Sequence, residues 1–371
     1  PNISIPLYRI QTTGKPHAIS LSYNASGIKV GQRASTVGLG WSLVVGGVIS
    51  RSMQSHPDDG YVAGNQGLSM VYQELIDAAW ETAHELSEID WDHTLSCPNG
   101  SWDCYDLDDF LLRDFNSAEA FDTKPDIFSF SVGAISGKFI LPDNFVTQSE
   151  GDAVVLESAN IRVKWYKGVN GIEKFEVFET DGTKYTFDLR EYVTSKTAKI
   201  RMDSNTINSS SWFSDPQAFT KYASAWFLTS IEFARTEEKI EFAYQSHQSE
   251  TKTAGATMNA KNWDSVVDAI YSSKTQLIHD TYLLTTITTG REKINLSYLD
   301  YRSTNFPSTN IYLSELILDK IEIKSVNDDV ITNWDFDYWY FRSRNDELSY
   351  SGANANPLYF APRESRLSSV K

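Results

Sequence analysis

Cysteine is nearly absent: Cys97 and Cys104 are the only two in 371 residues, so neither a disulfide framework nor a four-cysteine zinc site holds this chain together. Histidine is also sparse, and His17, His56, His84, His93, His247 and His279 show no H-E-x-x-H or comparable ligand spacing, so no metal site is expected from them. Long apolar runs are missing too. The longest, Leu43 to Ile49, contains two glycines and falls far short of the roughly 20 residues a membrane-spanning helix needs. Positive charge is in deficit, with 33 Lys and Arg against 49 Asp and Glu for a net charge of −16. The average field of such a chain repels nucleic acid and anionic membranes, and neither is expected as a partner.

What is present is alternation. Ile19, Leu21 and Tyr23 alternate with serines, Ile240, Phe242 and Tyr244 with Glu241 and Ala243, and Ile294, Leu296 and Tyr298 with Asn295 and Ser297. Period two marks strands with one buried face. Phe128, Phe130 and Val132 read the same way, as do Tyr185 and Phe187, and Trp334, Phe336, Tyr338 and Tyr340. Turn chemistry separates the runs: Asp181-Gly182 and Asn327-Asp328-Asp329 lie between strand pairs and predict hairpins. The expected fold class is therefore all-β, built of antiparallel hairpins stacked into a curved shell or sandwich, with helical insertions.

Those insertions are read at three places. Leu68, Val71, Leu75, Ala79, Ala83 and Leu86 recur every three or four residues between acidic positions, which predicts an amphipathic helix over 68–89. Asp215-Pro216 predicts an N-cap and a short helix through Tyr222. Trp263, Val266, Val267 and Ile270 suggest another helix, and the polar stretch Gln245 to Asn259 reads as a surface excursion. Four regions result: 1–67 with a G-L-G-W-S-L motif, an acidic helical insertion over 68–124, hairpins over 125–225, and degenerate hairpin repeats over 226–371.

The repeats have a recognisable form. Leu228-Thr229-Ser230-Ile231 precedes Phe242-Ala243-Tyr244, Leu284-Thr285-Thr286-Ile287 precedes Leu296-Ser297-Tyr298, and Leu318-Asp319-Lys320-Ile321 precedes Phe336-Asp337-Tyr338; Leu367-Ser368-Ser369-Val370 opens a fourth unit. Each unit is L-x-x-[IV], a turn, then [FL]-x-Y, a hairpin that must stack on its neighbours to bury its face.

Possible chemistry is thin. Gly38, Gly40, Gly46 and Gly47 around Trp41 lack the Lys and Ser/Thr of a phosphate-binding loop, so they read as turn and close-packing glycines beside a large indole. Asp103, Asp106, Asp108 and Asp109 are hard oxygen donors suited to calcium, but without EF-hand spacing; a solvated acidic face is the other reading. No nucleophile, acid–base pair or cofactor motif stands out, and no enzyme activity and no cofactor is expected.

Ser4-Ile5-Pro6-Leu7, Ile19-Ser20-Leu21-Ser22-Tyr23, Gly38-Leu39-Gly40-Trp41-Ser42-Leu43, His56-Pro57-Asp58-Asp59-Gly60-Tyr61, Pro125-Asp126-Ile127-Phe128 and Ser136-Gly137-Lys138-Phe139, in this order, resemble the N-terminal region of Rhs/YD-repeat proteins of Bacteroidetes. The G-x-G-W-S-L segment is also similar to one in the shell-forming B component of Tc toxins. The resemblance implies a secreted or cell-surface structural segment of a larger protein, acting as shell, plug or scaffold. It implies partners that are other parts of its own longer chain, an encapsulated effector or a second protein. A glycan-binding adhesin using exposed aromatics is the alternative. An exported destination favours a Cys97–Cys104 disulfide over two reduced cysteines.

Overall fold

The computed structural model describes residues 2–12, 14–25, 34–54, 57–59, 125–142, 145, 147–157, 160–202, 220–260, 267–300, 316–340 and 365–370. They form eighteen β-strands and no α-helix. Strands β1 (Asn2–Ile10), β2 (His17–Asn24) and β3 (Trp41–Val44) make a three-stranded antiparallel sheet in chain order. The others are β4 (Gly47–Ser52), β5 (Ile127–Val132), β6 (Ile135–Ile140), β7 (Glu150–Asp152), β8 (Val154–Val155), β9 (Ile161–Gly168), β10 (Gly171–Glu179), β11 (Lys184–Met202), β12 (Thr220–Glu232), β13 (Lys239–Ala260), β14 (Val267–Thr288), β15 (Glu292–Asp300), β16 (Leu316–Ser325), β17 (Val330–Tyr340) and β18 (Ser365–Val370). These fifteen join one branched sheet whose main path runs β18-β17-β16-β15-β14-β11-β12-β4-β5-β6-β8. Every pairing is antiparallel.

Alternation fills a single core. Leu7, Ile10, Ile19 and Leu21 of the small sheet join the same hydrophobic cluster as Ile49, Phe128, Phe139, Phe175 and Trp226 of the large one. Aromatic edges organise its centre: Phe175 meets Trp226 with ring centroids 4.9 Å apart at 80°, and Phe128 stacks on Phe139 at 5.2 Å. The Trp226 indole N–H donates to the Ile172 carbonyl at 3.2 Å, so this buried ring leaves no polar orphan.

Both predicted hairpin turns form. Around Asp181-Gly182, Phe175 pairs with Phe187 and Val177 with Tyr185. Gly182 adopts φ +87°, a left-handed conformation suited to glycine. The Thr183 amide donates to the Asp181 carboxylate at 2.9 Å and holds its pKa down at about 2. At 327–329 the left-handed residue is Asp328, with φ +65°.

Three expectations fail. The stretch Gln245 to Asn259 is strand, not excursion: it lies in β13, paired with β14 from Glu241–Thr288 out to Ala260–Val267. Val267 and Ile270 belong to β14 rather than to a helix, and Thr220 to Tyr222 open β12 rather than close one. In each case cross-strand pairing supplies what the local pattern does not show. The 68–124 insertion, Asp215-Pro216, Trp263 and Val266 lie outside the described residues. Strands β11, β13 and β14 form a long ribbon with β14 in the middle, β11 pairing with it from Tyr192–Asp280 to Met202–Ile270. The 225/226 boundary falls inside β12.

Candidate functional site: hooked hairpins and a buried charged clasp

The L-x-x-[IV] spacing is anomalous for a strand, because residues three apart point to opposite faces. A β-bulge resolves it. In the pairing of one unit with the next, Ala243 lies opposite Thr286 but Tyr244 opposite Leu284, skipping Thr285. The same jump occurs at Ser297–Lys320 followed by Tyr298–Leu318, and at Asp337–Ser369 followed by Tyr338–Leu367. One extra residue in each leucine strand resets the face, so that Leu228 and Ile231, Leu284 and Ile287, and Leu318 and Ile321 are all buried. Strand β11 shows the same jump, Thr186–Ser230 to Phe187–Leu228. The bulged threonines are tied down: Thr229 and Thr285 hydroxyls donate to the Thr186 and Ala243 carbonyls at 3.2 and 3.1 Å.

The tyrosine closes each unit. The ladder inside every unit's hairpin ends at an equivalent pair, Ser230–Glu241, Thr286–Asn295 and Lys320–Asp335, after which the leucine strand turns to another partner. Across that gap the Tyr244, Tyr298 and Tyr338 hydroxyls donate to the carbonyls of Leu228, Leu284 and Leu318 at 2.5, 2.9 and 2.6 Å. Burial raises the Tyr244 and Tyr298 pKa values, keeping both as donors. Replacing any one of the three by Phe should leave a carbonyl short of a partner and lower stability by about 1–2 kcal/mol in urea denaturation.

The glycine-rich loop docks on this stack. Leu318 N–H donates to the Thr36 carbonyl at 2.8 Å, and Val37 is wholly buried. Gly38 and Gly40 have φ +103° and +77°, and a Cβ on Gly40 would sit 2.7 Å from the Tyr23 ring. Gly47 passes so close to Val132 that a Cβ would meet it at 2.8 Å, whereas Gly46 has ordinary space, its Cβ position lying 3.6 Å from the Tyr244 hydroxyl. Trp41 is half-buried rather than buried, tilted against Tyr23 at 5.0 Å, so its truncation should cost less than that of a wholly enclosed indole such as Trp226.

A second constellation joins segments far apart in sequence. Arg51 shares the inward face of β4 with Ile49, its side chain fully enclosed and its guanidinium 5.2 Å from the Phe128 and Trp226 ring centroids. It pairs with Asp59 at 2.7 Å and Asp126 at 3.4 Å. The Asp58 and Asp126 carboxylates each accept the other's backbone N–H, at 3.0 and 3.1 Å, and Asp126 also accepts from Gln54 N–H. Asp59 accepts from the Ile172 amide at 2.7 Å. This clasp fastens both ends of the segment 60–124 to the sheet. Sequence reasoning gave these aspartates no role; an arginine at an inward position of an alternating strand was the available signal.

One guanidinium faces three carboxylates here, and burial together with the Asp126 charge lifts Asp58 to about pKa 7. The folded protein therefore holds a proton that the unfolded chain releases near its ordinary value of 3.8. The stabilising contribution is complete below about pH 4 and is lost as pH rises through about 7. Asp58→Asn should accordingly gain in melting temperature relative to wild type between pH 4 and 7 and level off above; a difference independent of pH would contradict the buried-carboxyl assignment.

On the face of β7, β9, β10 and β11, Ser149, Glu150, Tyr166, Lys167, Glu173, Lys174, Asp188 and Arg190 line an open depression of about 610 Å³. Its tyrosine is already engaged: Lys174 sits 3.8 Å over the Tyr166 ring, and the Tyr166 hydroxyl donates to Glu176 at 2.7 Å. The buried Arg190 Nη1 has no hydrogen-bond partner among the described residues. Among the described residues no three His, Cys, Asp or Glu side chains gather to hold a metal ion, and no helix is long and apolar enough to cross a membrane. Cys97, Cys104, Asp103, Asp106, Asp108 and Asp109 lie outside the described residues.

Comparison with protein-family models, curated proteins and solved structures finds no match.

Proposed function

We propose that this chain is a non-enzymatic structural segment, a β-rich wall that serves as shell, plug or scaffold within a larger secreted or cell-surface protein of the Rhs/YD-repeat kind. The observation that carries the reading is the recurrent unit: one bulge, one buried Leu/Ile pair and one tyrosine hook, occurring three times through β12–β17. Such a unit spends its signature residues on joining neighbours, which is the economy of a repeat wall rather than of a catalytic site. A glycan-binding adhesin is the second reading, favoured by the polar depression with its unpartnered Arg190 nitrogen.

Mutation separates the two. In the native cell, hook variants such as Tyr298→Phe should reduce the protein's phenotype in proportion to lost folded protein, while Glu173→Gln, Asp188→Asn and Arg190→Gln should leave it intact. Loss of phenotype on altering the depression in a fully folded protein would overturn the scaffold reading in favour of the adhesin.

A further inference from the structure

The charges that line the polar depression fall into two groups. Its lysines are engaged within the protein: Lys174 Nζ lies 3.1 Å from Glu176 and 3.8 Å over the Tyr166 ring, and Lys167 Nζ donates to the Phe145 carbonyl at 2.9 Å while standing 4.7 Å over the Phe145 ring. Arg190 is different. Its guanidinium lies 5.5 Å from the Tyr192 ring centroid, and among the described residues it has no ion pair, while its buried Nη1 has no acceptor. A buried donor of this kind gains from an acceptor, and a planar guanidinium is matched best by a carboxylate.

The acids of the depression are uncommitted too. Glu150, Glu173 and Asp188 are exposed, and none is ion-paired among the described residues. Glu173 is the bulged residue of β10, since pairing with β9 passes from Ile172–Lys167 directly to Lys174–Tyr166. Its carboxylate lies over Gly168, where any Cβ would collide with it, so the glycine keeps that position open. Glu173 and Arg190 both lie within electrostatic range of the Tyr192 hydroxyl; an open anion and an open cation flank one ring without pairing.

The open charges are thus one guanidinium and three carboxylates. Their complement is a ligand with one carboxylate and at least one cationic group, and about 610 Å³ admits a molecule of amino-acid size. A simple anion would meet three carboxylates, a simple cation would meet Arg190, and a neutral sugar would match neither charge.

We propose that this depression binds a basic amino acid, free or at a peptide C-terminus, with its carboxylate on Arg190 and its side-chain cation among Glu150, Glu173 and Asp188. The site lies on β7, β9, β10 and β11, outside the hooked units, so its binding is read separately from the scaffold role and neither result decides the other.

Ligand-observed NMR titration of the whole folded chain at low salt tests it. L-Arginine should bind saturably with a Kd of roughly 1 mM or below. Agmatine, which lacks the carboxylate, and norleucine, which lacks the cation, should each bind about tenfold more weakly, as expected for loss of one charge-assisted contact. This ranking is measured on the unaltered protein and needs no variant to fold. Arg190→Gln should then reduce arginine to the level of agmatine, and Glu173→Gln with Asp188→Asn to the level of norleucine, with circular dichroism unchanged. Gly-Gly-Arg and its C-terminal amide separate the two sources: a preference for the peptide acid over free arginine assigns a peptide C-terminus, and the reverse assigns the free amino acid. Equal binding of arginine and agmatine, equal binding of the peptide acid and amide, or displacement of arginine by a neutral monosaccharide would overturn the proposal. So would failure of both arginine and lysine to saturate the protein below roughly 10 mM.

Discussion

Deleting Thr285 should be far more damaging than any substitution of it. Removal of the bulged residue returns β14 to regular alternation, in which Leu284 and Ile287 can no longer both face the core. One of the two wholly or nearly buried side chains is then forced outward, a loss comparable to a large-to-small core truncation, about 3–5 kcal/mol. Every residue beyond the deletion also shifts face. Thr285→Ala, by contrast, forfeits only the hydroxyl bond to the Ala243 carbonyl and should cost about 1 kcal/mol. Urea denaturation of the two variants side by side checks the contrast; equal midpoints would show that the extra residue carries no register.

Arg51→Met should be the most costly single substitution in the clasp. The change leaves the enclosed carboxylates of Asp59 and Asp126 without their cation, and breaking a buried pair from one side costs about 3–5 kcal/mol. The loss should shrink as pH falls, since burial already pushes the Asp126 carboxyl up and a proton can then neutralise it, and Arg51→Lys should recover only part of it because a single ammonium cannot bridge two carboxylates as a guanidinium does. A melting temperature unchanged at pH 7 would mean that the clasp is solvated rather than closed.

The parts of the fold legible in sequence are those where a local pattern and a tertiary need coincide. Ile19-Leu21-Tyr23 and Ile240-Phe242-Tyr244 alternate because one face is buried, and Asp181-Gly182 turns because glycine tolerates φ +87°. The repeat was visible as spelling, though not as mechanism: an interval of three between Leu284 and Ile287 says bulge only when strand structure is already granted. The ribbon was illegible for a physical reason. Gln245 to Asn259 has no apolar alternation to read, and its extended state comes from pairing with β14, a partner up to about forty residues away in sequence. Trp263, Val266, Val267 and Ile270 fall at helical spacing, yet Val267 and Ile270 are strand residues, a coincidence of period across a strand boundary. The clasp joins Arg51 to Asp126 across a long insertion, and nothing in either local sequence names the other.

The most direct measurement of the repeat-unit account is a cysteine scan of residues 284–287 in a protein whose two native cysteines have been changed to serine. The thiol at each position is labelled in the native state and compared with the unfolded state. A bulged unit gives protection at 284 and 287 and labelling at 285 and 286, matching the burial of Leu284 and Ile287 and the partial exposure of both threonines. Strict alternation, with 284 and 286 protected and 285 and 287 labelled, would contradict the bulge, and with it the hooked hairpin as the unit of this protein.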